Sequence, residues 1–245
     1  MKKLIILLLS IMLTFSVQAE KKKIKTIKLT TKNHVVLRSE VNNSSVSEIS
    51  QKLLSLSSKL KKDEPIYFVI DSGGGSVMAG MDMINLMEAI PNPIHTISIF
   101  AFSMAYSISQ RGDVRYIAKR GIMGQHRAKG GFQGQFATGE VESRLGVWTT
   151  IVNQLEDFEA QKMGLTLAEF KNVIINEMYV YDKQAVDKKV ADEVVQMLCD
   201  ERLIKQRIKI TQRSFMGSYT QTFSGCPIIR GPVPPSKKQK HEDDE

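Results

Sequence analysis

The stretch Pro65-Ile66-Tyr67-Phe68-Val69-Ile70-Asp71-Ser72-Gly73-Gly74-Gly75-Ser76-Val77 decides the fold. Ile66 to Ile70 is a short apolar run behind a proline, too brief for a helix and suited to a strand buried on both faces. Val77 to Ile90 then reads as a helix. Three consecutive glycines lie between them, where the backbone needs positive φ and close approach to whatever sits above the turn. A buried strand running straight into a helix is the first half of a parallel crossover.

The flanking segments repeat that pattern. Upstream, His34 to Val41 has strand character. Ser45 and Glu48 form a capping box, and Ile49, Leu53, Leu56 and Leu60 recur at helical spacing to about Lys61. Downstream, Pro91 and Pro93 end the second helix, Ile94 to Phe100 makes another buried strand, and Ser103 begins a third helix. Val114 to Ala118 and Gly121 to Gln125 read as two further strands leading to His126. Val141 to Met163 is a long amphipathic helix, and Thr166 with Glu169 caps one more. Strands alternating with helices predict an α/β domain with a largely parallel sheet.

The ends of the chain have different compositions. Lys2 and Lys3, the apolar run Leu4 to Phe15, and Val17-Gln18-Ala19 before Glu20 follow the plan of a secretory signal peptide over residues 1–19. The run is short of the roughly 20 residues a membrane span needs, although an uncleaved anchor would begin the same way. Cleavage predicts a periplasmic or secreted protein with no stable membrane insertion. The domain then spans residues 20–200, a basic extension 201–226, and a tail rich in Pro, Lys and acidic residues 227–245, expected to be disordered. Of the formal charge of +8, Lys2 and Lys3 contribute two. The remaining excess sits in runs such as Lys59 to Lys62 and Arg202 to Arg213, without interleaved aromatics, which argues against nucleic-acid binding. Cys199 and Cys226 belong to no metal-ligand spacing, so no metal is expected. In an oxidising compartment the pair favours a disulfide, with two buried thiols as the alternative.

Three positions carry chemistry. The Gly73-Gly74-Gly75 turn fits an oxyanion hole or a plain tight turn; no Gly-Lys-Ser/Thr comes after it, so a phosphate loop is disfavoured. Ser103, between a strand and a helix, is either an N-cap or a hydroxyl exposed at the carboxyl edge of the sheet. Of the histidines, only His126 ends a strand beside a glycine-rich stretch; a structural histidine is its plainer reading.

Together these segments resemble the proteolytic subunit of Clp protease. Asp71-Ser72-Gly73-Gly74-Gly75-Ser76-Val77-Met78-Ala79-Gly80 is similar to that family's Ser-Pro-Gly-Gly-x-x-x-x-Gly, and Phe102-Ser103-Met104-Ala105 to its nucleophile segment. Met123-Gly124-Gln125-His126 with Gly130-Gly131-Phe132-Gln133-Gly134-Gln135 resembles its histidine segment. Gln184-Ala185-Val186-Asp187-Lys188-Lys189-Val190-Ala191-Asp192 resembles its closing segment. The four motifs fall in order across residues 33 to 195, departing at Gly73, Gln125, Arg127 and Lys189, where the family has other residues.

The resemblance implies a Clp/crotonase-type spiral of ββα units with a protruding handle helix. It further implies Ser103 as nucleophile, His126 as base, the Gly75 and Met104 amides as oxyanion donors, and Gly74 shaping their turn. Counting from Gly164 puts the third triad member at Glu177, with Asp182 as competitor. The function implied is a serine endopeptidase acting on peptides or unfolded proteins, in a homo-oligomeric ring and without a cofactor; an exported form would work without ATP. The alternatives are a non-catalytic assembly protein on the same fold and a signal-peptide peptidase with a Ser–Lys dyad, for which Lys119 and Lys129 are the candidates. A crotonase-type acyl-CoA enzyme would have no reason for an export signal.

Overall fold

The computed structural model describes residues 24–130, 134–214 and 217–234. Residues 1–19, expected to be a signal peptide, Gly131 to Gln133 of the histidine motif and the last part of the expected tail lie outside the described residues. Among the described residues no helix is long and apolar enough to cross a membrane.

A seven-stranded sheet forms the centre, in the order β1 (Lys25–Leu29), β7 (Glu193–Cys199), β5 (Val114–Gln125), β4 (Ile94–Phe102), β3 (Ile66–Ser72), β2 (His34–Leu37), with β6 (Met178–Tyr181) also paired to β5. Every pairing in it is parallel except β5 with β6. This is the α/β architecture with a largely parallel sheet that the sequence predicts.

One face is covered by α1 (Asn43–Ser57), α2 (Val77–Ala89), α3 (Met104–Ser109), the end of α4 (Glu140–Met163) and α5 (Leu167–Val173). Phe68 and Ile70 of β3 join Leu53, Met83, Tyr106 and Phe170 in that core. A parallel sheet is stable only with both faces covered. On the opposite face Val69, Ile97, Tyr116 and Val195 pack with Leu203 of α7 (Glu201–Lys205) and with Cys226. The short α6 (Lys183–Asp187) leads from β6 back towards β7. The C-terminal extension continues as the antiparallel hairpin β8 (Arg207–Ser214) and β9 (Gly217–Ser224).

Local chemistry alters several expected boundaries. The cap of α1 is Asn42, whose side chain accepts from the Ser45 amide while the Ser45 hydroxyl accepts from the Asn42 amide, so Ser45 is the third helical residue and not the cap. Thr166 and Glu169 make the expected reciprocal cap. The two strands expected over 114–125 are one, kinked at Arg120 (φ 64°) and Gly121, where Asp182 accepts the Arg120 amide. Before the kink β5 pairs with β7, and after it with β6. Residues 227–234, expected to open a disordered tail, are held instead. Val233 donates to Thr222 O at 2.7 Å, Ile229 packs on the second core, and Arg230 pairs with Asp71. Cys199 and Cys226 form a disulfide, with Cα atoms 5.8 Å apart and a sequence separation of 27.

Candidate active site

Ser103 stands at the junction of β4 and α3 with φ 56° and ψ −127°. Positive φ is strained for a side-chain-bearing residue, by about 1–3 kcal/mol. The side chain makes no capping bond, so the N-cap reading fails. Its Oγ lies 2.8 Å from His126 Nε2. The elbow is tied to the neighbouring strand by Ser103 N donating to Gly124 O at 3.1 Å, two residues before the histidine.

His126 directly follows β5, which delivers it beside the elbow. Its ring stacks on Phe102, with centroids 5.1 Å apart and planes within 5°, and Phe102 stacks in turn on Tyr179. For Nε2 to accept the serine proton, the imidazole proton resides on Nδ1. That Nδ1 is buried and has no hydrogen-bond partner among the described residues.

The His126 backbone joins a polar network that sequence reasoning did not anticipate. The His126 amide donates to Gln125 Oε1 at 3.1 Å, and Gln125 Nε2 donates to both oxygens of Glu159 at 3.1 Å. The Ser107 hydroxyl donates to Glu159 Oε1 at 2.5 Å. Burial pushes the Glu159 carboxyl up to about 7, against the opposing hydrogen bonds from Ser107 and Gln125. A signal existed: Leu155, Glu159 and Met163 share one face of α4 at four-residue spacing, placing an acid in an apolar stripe.

The glycine turn rests against the elbow. At Gly74 (φ +92°) a Cβ would fall 2.6 Å from Phe102 O and 2.8 Å from Met104 N; at Gly75 (φ +147°) it would fall 2.4 Å from Val41 O. Only glycine fits either position. The turn is fixed by Val41 N donating to Gly74 O and Ser76 N to Val41 O, both at 2.8 Å. The Ser72 hydroxyl accepts from the Gly74 amide at 3.2 Å and donates to Ser39 O. Within the described residues the amides of Gly75 and Met104 have no acceptor. Met104 is the first residue of α3, where amides have no partner inside the helix.

The two acids are not brought to the imidazole. Glu177 sits in a turn at φ 67°, and its Oε2 accepts from the Tyr179 hydroxyl at 3.3 Å. Asp182 is engaged by the Arg120 amide at 2.9 Å. The expected bond from Glu177 to Nδ1 is therefore absent in this geometry, because the turn hands the carboxylate to Tyr179. Lys119 and Lys129 are both exposed, and Ser103 pairs with the histidine. A cavity opens beside Ser103 and His126, walled by Val77, Met104, Val152 and Leu155. Among the described residues no group of His, Cys, Asp and Glu could hold a metal.

The model of the Clp protease family matches residues 17–198. Among curated proteins, the ATP-dependent Clp protease proteolytic subunit 1 of Leifsonia xyli subsp. xyli (strain CTCB07) is 28% identical over 161 residues, 64% of this chain and 80% of that protein. The family match ends at Leu198, so Cys199, α7 and the β8–β9 hairpin lie beyond it.

Proposed function

Because this chain belongs to the Clp protease family and is a serine-type peptidase, we propose that it is an exported endopeptidase that cleaves peptides and unfolded proteins without ATP. The observation that carries the reading is the 2.8 Å contact of Ser103 Oγ with His126 Nε2 beside two unengaged amides. As Oγ attacks the scissile carbonyl, its proton passes to Nε2. The developing oxyanion is received by the Gly75 and Met104 amides, each such donor contributing about 3 kcal/mol to the transition state. Nε2–H then protonates the leaving amine, and the same base activates the water that releases the acyl group from Ser103. Glu177 is assigned to orienting the imidazole, which requires its carboxylate to exchange the Tyr179 hydroxyl for Nδ1.

Export is supported by residues 1–19 and by a disulfide of a kind that persists in oxidising compartments. A ring of copies is supported by the first half of α4, which is solvent-facing and carries exposed Leu145 and Val147. Outside the cytoplasm no ATP is at hand, and an extended chain needs none, since it can enter a cleft by β-pairing. The non-catalytic alternative is disfavoured by the 2.8 Å approach of Ser103 Oγ to His126 Nε2 beside the two free amides.

The test incubates the mature protein, alone and without ATP, with unfolded casein and with a stable folded domain. Cleavage of casein only is expected. A protein that cuts neither until an ATPase partner is supplied would overturn both ATP independence and the export assignment.

A further inference from the structure

The C-terminal extension reaches the back of the active-site turn. Side chains alternate along β3, so Phe68, Ile70 and Ser72 face the helices while Tyr67, Val69 and Asp71 face the extension. Asp71 is nearly buried, with 8% of its side chain exposed, and it sits where β3 slips register against β4. The extra residue of that bulge is Ile99 on β4, while Asp71 and Ser72 stay paired with Phe100 and Ala101. Beyond Ser72 the ladder ends, so the direction in which the chain leaves β3 for the glycine turn needs another constraint.

That constraint comes from residue 230. Arg230 Nε donates to Asp71 Oδ2 at 2.9 Å and its Nη2 donates to Oδ1, a two-pronged grip that fixes the carboxylate in orientation as well as distance. Arg38 Nε lies 3.8 Å from the same carboxylate, and Arg38 Nη2 donates to Pro227 O. The segment bearing Arg230 is itself anchored: Cys226 is bonded to Cys199 at the end of β7, Ile229 N donates to Cys226 O at 3.1 Å, and Ile229 packs on the second core. From Asp71 the chain runs through Ser72, whose hydroxyl holds the Gly74 amide, to Gly75.

We propose that Arg230 is a positioning residue for the oxyanion turn, delivered to Asp71 by a strap that the Cys199–Cys226 disulfide anchors. The proposal rests on the catalytic reading of Ser103 and Gly75 given above. Arg230 is more than half exposed but Asp71 is nearly buried, so removing the guanidinium leaves a buried carboxylate with only Arg38 at 3.8 Å and costs stability as well. The effect that distinguishes a positioning role is therefore read as kcat on folded protein.

The test compares kcat and KM for a peptide substrate in the full mature chain and in Arg230→Gln, Arg230→Lys and Asp71→Asn, with Lys205→Gln as an extension-surface control. Arg230→Gln is expected to lower kcat about tenfold, the scale of a small misplacement of catalytic groups, with KM within about twofold. A peptide boronate, which forms a tetrahedral adduct on a reactive serine, should lose affinity by the same factor, while a product peptide should not. Arg230→Lys keeps the charge and loses the fork, and should recover part of kcat. Asp71→Asn should match Arg230→Gln, and the double variant should be no worse than either, since both break one contact. Unchanged kcat in folded Arg230→Gln, a change confined to KM, or additive losses in the double variant would overturn the proposal alone. Should Arg230→Gln not fold, unchanged kcat in Arg230→Lys would do so. A wild-type protein that neither cleaves peptide nor reacts at Ser103 would overturn the site assignment and the proposal with it.

Discussion

Glu159 offers a perturbation whose size is set by its surroundings. Its side chain is buried with 1% exposed, between the Ser107 hydroxyl and the Gln125 amide, and its carboxyl is raised from 4.5 to about 7, first by burial. A folded value above the unfolded one means that folding favours the protonated acid. The contribution is fully present below about pH 4.5 and is lost as pH rises through about 7. At 1.36 kcal/mol for each tenfold change in proton affinity, the whole swing is about 3 kcal/mol. Glu159→Gln keeps the shape, removes the titration, and introduces a hydrogen-bond mismatch that does not vary with pH. Urea denaturation of both proteins at pH 5 and pH 8 isolates the group, because every other titration cancels in the difference. The variant is expected to gain about 2–3 kcal/mol relative to wild type between those two values. A difference that stays constant with pH would show that the fold does not favour the protonated form of Glu159.

Other consequences concern the turn and the third catalytic role. Gly74→Ala drives a Cβ against Phe102 O and Met104 N at an unfavourable φ. It should destabilise by about 2 kcal/mol and lower kcat about a hundredfold, read by denaturation and peptide hydrolysis. Glu177→Gln should reduce kcat strongly but less than loss of the nucleophile. Asp182→Asn, which can still accept the Arg120 amide, should leave kcat nearly unchanged; the opposite ranking in a steady-state assay would move the orienting role to Asp182.

How far the sequence displays each feature depends on how local that feature is. The strand–glycine–helix unit over 66–90 is legible because an apolar run, three glycines and a helical pattern adjoin one another. Ser103 and His126 are legible for the same reason, each at the end of a buried strand. β1 is not, because Lys25 and Lys28 leave only Ile27 and Leu29 facing the core, and the segment reads as a basic lead-in. The kink at Arg120 resembles a break between two strands because Lys119, Arg120 and Gly121 interrupt the apolar pattern. β5 continues through them by changing partners. Glu159 is hidden by the ordinary expectation that a glutamate on a long helix faces water. The Asp71–Arg230 pair spans 159 positions, and the Arg230 segment reads as solvated because proline and lysine dominate residues 232–240. Glu177 shows the converse limit: counting along the chain locates a residue, but a turn at φ 67° and the Tyr179 hydroxyl determine where its carboxylate lies.

Activation of Ser103 as a nucleophile by His126 is tested most directly by covalent labelling. The folded protein is incubated with a serine-directed fluorophosphonate, and the adduct is located by intact mass and peptide mapping. One adduct per chain is expected, on Ser103, absent in Ser103→Ala and formed roughly 10⁴-fold more slowly in His126→Ala. No adduct on a folded, correctly assembled protein, or an adduct that survives Ser103→Ala, would contradict that activation.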